Sequence, residues 1–271
     1  MVPDTVFGIL GALAGPVLTT TPTFSYTAIF RRLPLVVLYT WSNLIIFNLA
    51  NQRNGCVEDA LNKPGRLIPS GRMTPSTMRK LLLAVIPFTL AISWILNVWQ
   101  QTSLLIALTW MYNDLGGGDD VIMRATIIAG AFFLYNIGAL QIACGDYSTM
   151  NSTGYVWTAL ISGVILTTMH VQDIDDQEGD KAAGRLTAPL WMGDTIARWT
   201  VAIPVVAWSA LCPAHIGVGV EGYLAPCALG LYIAGRTLLL RNRQADGRTW
   251  EIWAGWLICL YTLPLLKSFR W

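Results

Sequence analysis

Charge is what this sequence has least of. Only 13% of its 271 residues are Asp, Glu, Lys or Arg, about half the roughly 25% of a soluble domain, and that excludes a fully solvated surface. Neither sign dominates: the formal net charge is +2, which gives a nucleic-acid partner no support. The five cysteines, at 56, 144, 212, 227 and 259, are odd in number and widely spaced, so neither a disulfide framework nor a CxxC metal site is indicated and they read as small core residues. The N-terminus lacks a basic segment and a small-residue cleavage site, so residues 5–21 read as a first membrane helix kept in the mature chain.

What the chain has in quantity is apolar surface. Hydrophobic residues make up 54%, 12 Trp are present, the mean hydropathy is positive, and several apolar runs approach the ~20 residues that cross a bilayer. These features predict an all-α, multi-pass integral membrane protein: one bundle using residues 1–271, with the lipid bilayer as its surroundings and no obligatory protein partner evident. Nine helices are expected, at about 5–21, 34–52, 82–98, 102–116, 121–143, 154–172, 197–213, 218–240 and 250–267.

With these helices, connections on one side hold Arg53, Lys63, Arg66, Arg72, Arg79, Lys80, Lys181, Arg185, Arg198, Arg241, Arg243 and Arg248, and those on the other hold Arg31, Arg32, Lys267 and Arg270. By the positive-inside rule the first side is cytoplasmic. The N-terminus is then inside and the C-terminus outside. An Asn-Ser-Thr sequon at Asn151 lies so near the next span that it reads as a polar turn.

Two long cytoplasmic connections, 51–80 and 173–198, each place acids at a helix end and then Gly, Pro and basic residues, a hint of internal repetition. In the second, Asp173, Asp176 and Asp180 are spaced i, i+3, i+7, which a continuing helix would align on one stripe. Mg²⁺, an oxygen-seeking cation that bridges carboxylates to phosphate oxygens, would relieve their repulsion. In the first, Asn51 and Asp59 would fall within about 80° of each other on a continuing helix and could hold a second Mg²⁺. Lys63, Arg66 and Arg72, and Lys181 and Arg185 after the second cluster, can bind the outer oxygens of a diphosphate. For any one residue, solvation of a helix end is an equal explanation; the recurrence of acids followed by bases favours a site.

Other residues admit two readings. His170 shares nearly the face of Asp173 and could support the site or act as a base, or could be a packed histidine. Trp41, Trp94, Trp99, Trp110, Tyr112, Tyr135 and Trp157 could stabilise a cation through their rings, although interfacial belts account for most such residues. Asp114, Asp119 and Asp120 could line a mouth or belong to a solvated glycine-rich turn. An ion transporter with acidic sites is a remoter reading, since transporter sites cluster near the midplane.

The two acidic units resemble the UbiA superfamily of intramembrane prenyltransferases, over nearly the whole chain. The family motif NDxxDxxxD, followed by NKPxRPxPxGR, stands here as "NQRNGCVED" and "NKPGRLIPSGR". The second motif, DxxDxxxD, is intact as Asp173, Asp176 and Asp180. Gln52, Gly55 and Leu67 replace the family's Asp, Asp and Pro. Tyr112 remains from a Tyr-plus-basic pattern after the fourth helix, with no Lys or Arg immediately following. The resemblance implies a nine-helix UbiA-like bundle, a prenyl diphosphate substrate, and Mg²⁺ held by Asn51, Asp59, Asp173, Asp176 and Asp180. Lys63, Arg66, Arg72, Lys181, Arg185 and Tyr112 are implied to bind substrate. The NxxxGxxxD form is similar to the fungal terpene cyclase branch, implying intramolecular cyclisation of farnesyl or geranylgeranyl diphosphate and, for a fungal protein, the endoplasmic reticulum. Prenyl transfer to an aromatic or quinone-precursor acceptor is the alternative.

Overall fold

The computed structural model describes residues 2–20, 26–145 and 150–268; Thr21, the expected end of the first span, and Arg270 lie outside them. Among the described residues the chain is helical and without a strand. In order the helices are α1 (Val2–Leu13), α2 (Gly15–Leu18), α3 (Tyr26–Asn54), α4 (Cys56–Asn62), α5 (Pro75–Ile95), α6 (Trp99–Asn113), α7 (Val121–Cys144), α8 (Ser152–Thr168), α9 (Gln177–Ala182), α10 (Ala188–Met192), α11 (Asp194–Ile216), α12 (Glu221–Leu239) and α13 (Arg243–Ser268). Short 3-10 turns precede α7 and follow α8.

Nine described helices have twelve residues or more and follow the nine expected segments in order. Five of them are long and apolar enough to cross a membrane: α3, α5, α7, α8 with the turn after it, and α11. A count of nine spans is therefore not established. The twelve residues of α1 reach roughly 18 Å, short of the ~30 Å hydrocarbon core, and α13 spends its first turns on the polar stretch "RQADGRTWE". Large apolar side chains face outward: Leu83, Phe88, Ile95, Leu224 and Leu231 are each more than 60% exposed. Such an outer surface belongs against lipid.

Helix ends follow local chemistry. Thr74 Oγ1 accepts from Thr77 N at 3.1 Å ahead of Pro75, and Asp120 Oδ1 accepts from Ile122 N and Met123 N at 2.9 and 2.8 Å. Both are N-caps that satisfy orphan helix donors. Asn151 caps α8 through Gly154 N at 2.8 Å and donates to Val17 O and Thr19 O, which makes the sequon residue part of a packed turn. The third helix departs from expectation by starting at Tyr26, before Arg31, Arg32 and Pro34. Arg32 Nη1 reaches back to Ile142 O at 3.4 Å in the last turn of α7, where a cation suits a helix C-terminus.

In lipid, helices associate through close packing and hydrogen bonds more than through loss of water. Gly138 of α7 makes room for Tyr39 of α3: a Cβ there would lie 2.3 Å from Tyr39 Oη, which donates to Leu134 O at 3.2 Å. In the C-terminal half, buried Trp253 and Trp256 donate to Thr168 Oγ1 and Ser209 Oγ at 3.1 and 2.9 Å. Arg198 of α11, buried, makes two hydrogen bonds to Asp246 of α13 at 2.7 and 2.8 Å and one to Thr237 O of α12 at 2.9 Å. One guanidinium thereby joins three helices.

Candidate active site

Neither acidic segment continues as one helix. Gly55 separates α3 from α4, and between Asp173 and Asp176 the chain passes from a 3-10 turn through a bend into α9. The spacing argument for a single stripe of carboxylates is corrected accordingly: the acids converge across the gap between two broken segments. Asn62 joins the segments, donating from Nδ2 to Asp176 O at 2.7 Å and accepting from Gly179 N at 3.1 Å. Gly179 is needed for that approach, since a Cβ would sit 2.4 Å from Asn62 Nδ2.

On the first segment, Arg66 Nη1 lies 2.6 Å from Asp59 Oδ1 and 3.3 Å from Asn51 Oδ1, so the loop arginine holds both expected ligands together. Gln52 Oε1 accepts from Leu67 N at 3.3 Å. Two of the three departures from the family motif thus touch, because a proline at 67 would have no N–H to give. Gly55, the third, leaves space that Glu58 fills: a Cβ there would lie 2.8 Å from Glu58 Oε1. Arg72 braces its own loop through Ser70 Oγ at 2.9 Å and through Gly65 O, away from the acids.

On the second segment each of the three motif carboxylates meets a cation. Asp173 Oδ1 pairs with Arg124 Nη2 at 2.7 Å, Asp176 Oδ2 with Lys63 Nζ at 2.5 Å, and Asp180 Oδ1 with Arg185 Nη1 at 3.4 Å. Arg185 also meets Glu58 Oε1 at 2.6 Å and Asp119 Oδ1 at 3.1 Å. The carbonyl of Gly118, in the glycine-rich loop, accepts from Arg185 Nη2 at 3.0 Å and Arg124 Nη1 at 3.3 Å, and Arg124 donates to Tyr112 Oη as well. Lys181 is exposed and takes no part in these pairs. Burial pushes the Asp175 and Asp180 carboxyls up to about 6, with neighbouring Asp176 adding to the effect at both; Lys63 opposes it at Asp175, and Arg185 and Arg124 oppose it at Asp180.

These groups form the polar end of one cavity, lined by Asn51, Asp59, Lys63, Arg66, Tyr112, Asp176, Asp180 and Arg185, the other walls being largely apolar and aromatic. Asp173 lies outside that lining, at the head of an adjoining apolar cavity that also contains His170, whose Nε2 is 3.0 Å from Thr200 Oγ1. Of the aromatic candidates, Tyr112 and Tyr135 line the main cavity and the five tryptophans do not. Asp114 pairs with Arg53. Sequence reasoning missed Arg124, Glu58 and Asn62. The Glu58–Arg185 pair could have been sought as acid against base, whereas Arg124 meets Tyr112 only because the glycine loop folds back.

Among the described residues no three acids, histidines or cysteines cluster at metal-ligand spacing, since the cations intervene. Yet two buried carboxylate oxygens, Asp59 Oδ2 and Asp180 Oδ2, have no hydrogen-bond partner. Buried anionic oxygens are costly without one, and hard oxygen donors of this kind fit Mg²⁺.

The fold and the site together define an integral membrane protein with a paired acid and base cradle at one end of an apolar cavity. The chain belongs to the UbiA prenyltransferase family, whose model matches residues 6–258, a family of prenyl-diphosphate-using enzymes. Fumagillin β-trans-bergamotene synthase of Aspergillus fumigatus is 31% identical over 64% of this chain, and the match spans 59% of that protein. A polyprenyl transferase of Hericium erinaceus is 31% identical over 92% of this chain and 82% of its own length. A solved UbiA homologue from Archaeoglobus fulgidus bound to GPP and Mg²⁺ has a TM-score of 0.62 at 15% identity, covering 96% of this chain and 95% of its own.

Proposed function

We propose that the protein is a Mg²⁺-dependent terpene cyclase that ionises farnesyl or geranylgeranyl diphosphate and closes the cation on its own chain. The observation that carries this reading is the single cavity joining the charged cradle to an aromatic-walled interior. Lys63, Arg66 and Arg185 would swing from their carboxylates to the diphosphate oxygens, and Asn51, Asp59, Asp176 and Asp180 would hold Mg²⁺, with Asp173 beside them. Bound there, Mg²⁺ supplies charge neutralisation for the departing diphosphate. Arg124 holds Tyr112 at the neck, and Phe7, Phe47, Phe132, Tyr135 and Tyr261 keep water from the cation and lend it ring faces, about 0.5–2 kcal/mol each. The basic residues support an orientation with the cradle toward the cytoplasm, and the fungal relatives support the endoplasmic reticulum.

Prenyl transfer to an acceptor is the second reading, favoured by the longer match to the polyprenyl transferase. Purified protein given either diphosphate and Mg²⁺ without acceptor, with the organic extract examined by mass spectrometry, separates the two. A Mg²⁺-dependent cyclic terpene is expected. Product that forms only when an aromatic acceptor is added would replace the cyclase reading with transfer. Asp59→Asn and Asp176→Asn should each lower diphosphate release at least a hundredfold while leaving the folded, detergent-solubilised protein monodisperse; retained turnover in both would remove the cradle from the chemistry.

A further inference from the structure

The cavity has polar groups away from the cradle as well. On α1, Asp4, Phe7 and Gly8 fall at i, i+3 and i+4, which is one helix face, and all three line the cavity. Thr5 Oγ1 accepts from Trp41 Nε1 at 2.8 Å, fixing this turn of α1 level with Trp41. That level is ten residues, and so roughly 15 Å, along α3 from Asn51. Asp4 therefore stands partway along the cavity from the cradle, and Asn136 and Tyr261, beside Gly11, lie further in along α1. Tyr261 Oη donates to Asn136 Oδ1 at 2.9 Å, and its ring stacks on Phe7 with centroids 5.1 Å apart. Asp4 is the acid of this lining that stands apart from the cradle acids Glu58, Asp59, Asp176 and Asp180.

We propose that Asp4 is the catalytic base that ends the cyclisation. The assignment rests on the cyclase reading above. Ionisation leaves the positive charge beside the cradle, but attack by a distal double bond moves it to a tail carbon, deep in the cavity and out of reach of the cradle oxygens. An Asp4 oxygen then takes the proton from the carbon next to the cationic centre. The electron pair of the broken C–H bond becomes a new C=C bond that neutralises the cation, and Asp4 is left as the neutral acid until product departs. His170, the base offered by the sequence, faces Thr200 in the adjoining cavity instead.

The test compares wild type with Asp4→Asn, Asp4→Ser and Asp4→Glu in detergent, using the prenyl diphosphate that wild type consumes. It reads the share of released diphosphate recovered as the wild-type cyclic product. That share should fall at least tenfold in the Asn and Ser variants, in favour of water-captured alcohol or isomeric alkenes, and should stay within about threefold of wild type in the Glu variant. A wild-type share in both Asn and Ser variants overturns the assignment. So does loss of diphosphate release in all three, because a group acting after ionisation is not needed for it. If Asn alone is inactive, Ser against Glu decides. A wild type that yields product only with an acceptor overturns the cyclase reading itself, and this role with it.

Discussion

Burial pushes the Asp180 carboxyl up to about 6 from an ordinary value near 4, and Arg185 and Arg124 only partly oppose it. Because the folded-state value is the higher one, the group favours the fold fully below about pH 4, and that contribution is lost as pH rises through about 6. Asparagine keeps the shape without the charge, and Arg185 retains Glu58 and Asp119. In Mg²⁺-free buffer at pH 7.5, Asp180→Asn should therefore raise Tm by about 2–4 °C, roughly 1 kcal/mol for a chain of this size, with the two curves converging near pH 4. Scanning calorimetry at both pH values checks this; an unchanged or lower Tm at pH 7.5 would mean that Asp180 is not held against its preferred state. A carboxylate that costs stability is what a ligand or substrate site retains.

The helices were legible because each apolar run is a solvent requirement written into composition, and nine segments follow in the expected order. Their ends were less so. Arg31, Arg32 and Pro34 look like a stop between helices, but Arg32 finds the end of α7 and α3 runs on from Tyr26. In the candidate site, the members on the motifs were readable, but their arrangement was not, because periodicity assumes a continuing helix and both acidic segments break. The join between them rests on Asn62 and Gly179, which no local pattern marks. Asn62→Ala removes three hydrogen bonds, to Asp176 O, from Gly179 N and from Arg243 Nη2, each worth roughly 1–3 kcal/mol where the partner is left unmade, and should loosen α4 from α9. We expect kcat/KM for the prenyl diphosphate to drop at least tenfold, and a steady-state value equal to wild type would show that the two segments align without this contact.

Across the whole molecule, the C-terminal helices are held by the Arg198 and Asp246 pair, beside the second acidic segment: Asp194 accepts from both Arg198 Nε and Gln177 Nε2, and a Cβ at Gly247 would lie 3.2 Å from Asp175 Oδ2. Removing one partner of a buried pair leaves an uncompensated charge, at a cost of about 3–5 kcal/mol. Arg198→Met should destabilise the fold by that order in thermal unfolding, and adding Asp246→Leu should restore part of the loss, Asp194, the other acid on Arg198, keeping Gln177 and Arg241. A single variant as stable as wild type would mean that the pair binds α11 to α12 and α13 only weakly.

The pairing of Arg66 with Asp59 carries a consequence for biogenesis. Residues 51–66 leave the ribosome more than a hundred residues before Asp173, a gap of roughly 5–20 s at ordinary synthesis rates. During that interval the first acidic segment must enter the bilayer interface without its counterpart. Arg66 lies only seven residues from Asp59, so the nascent chain brings that carboxylate its own counter-ion while Glu58 waits for Arg185.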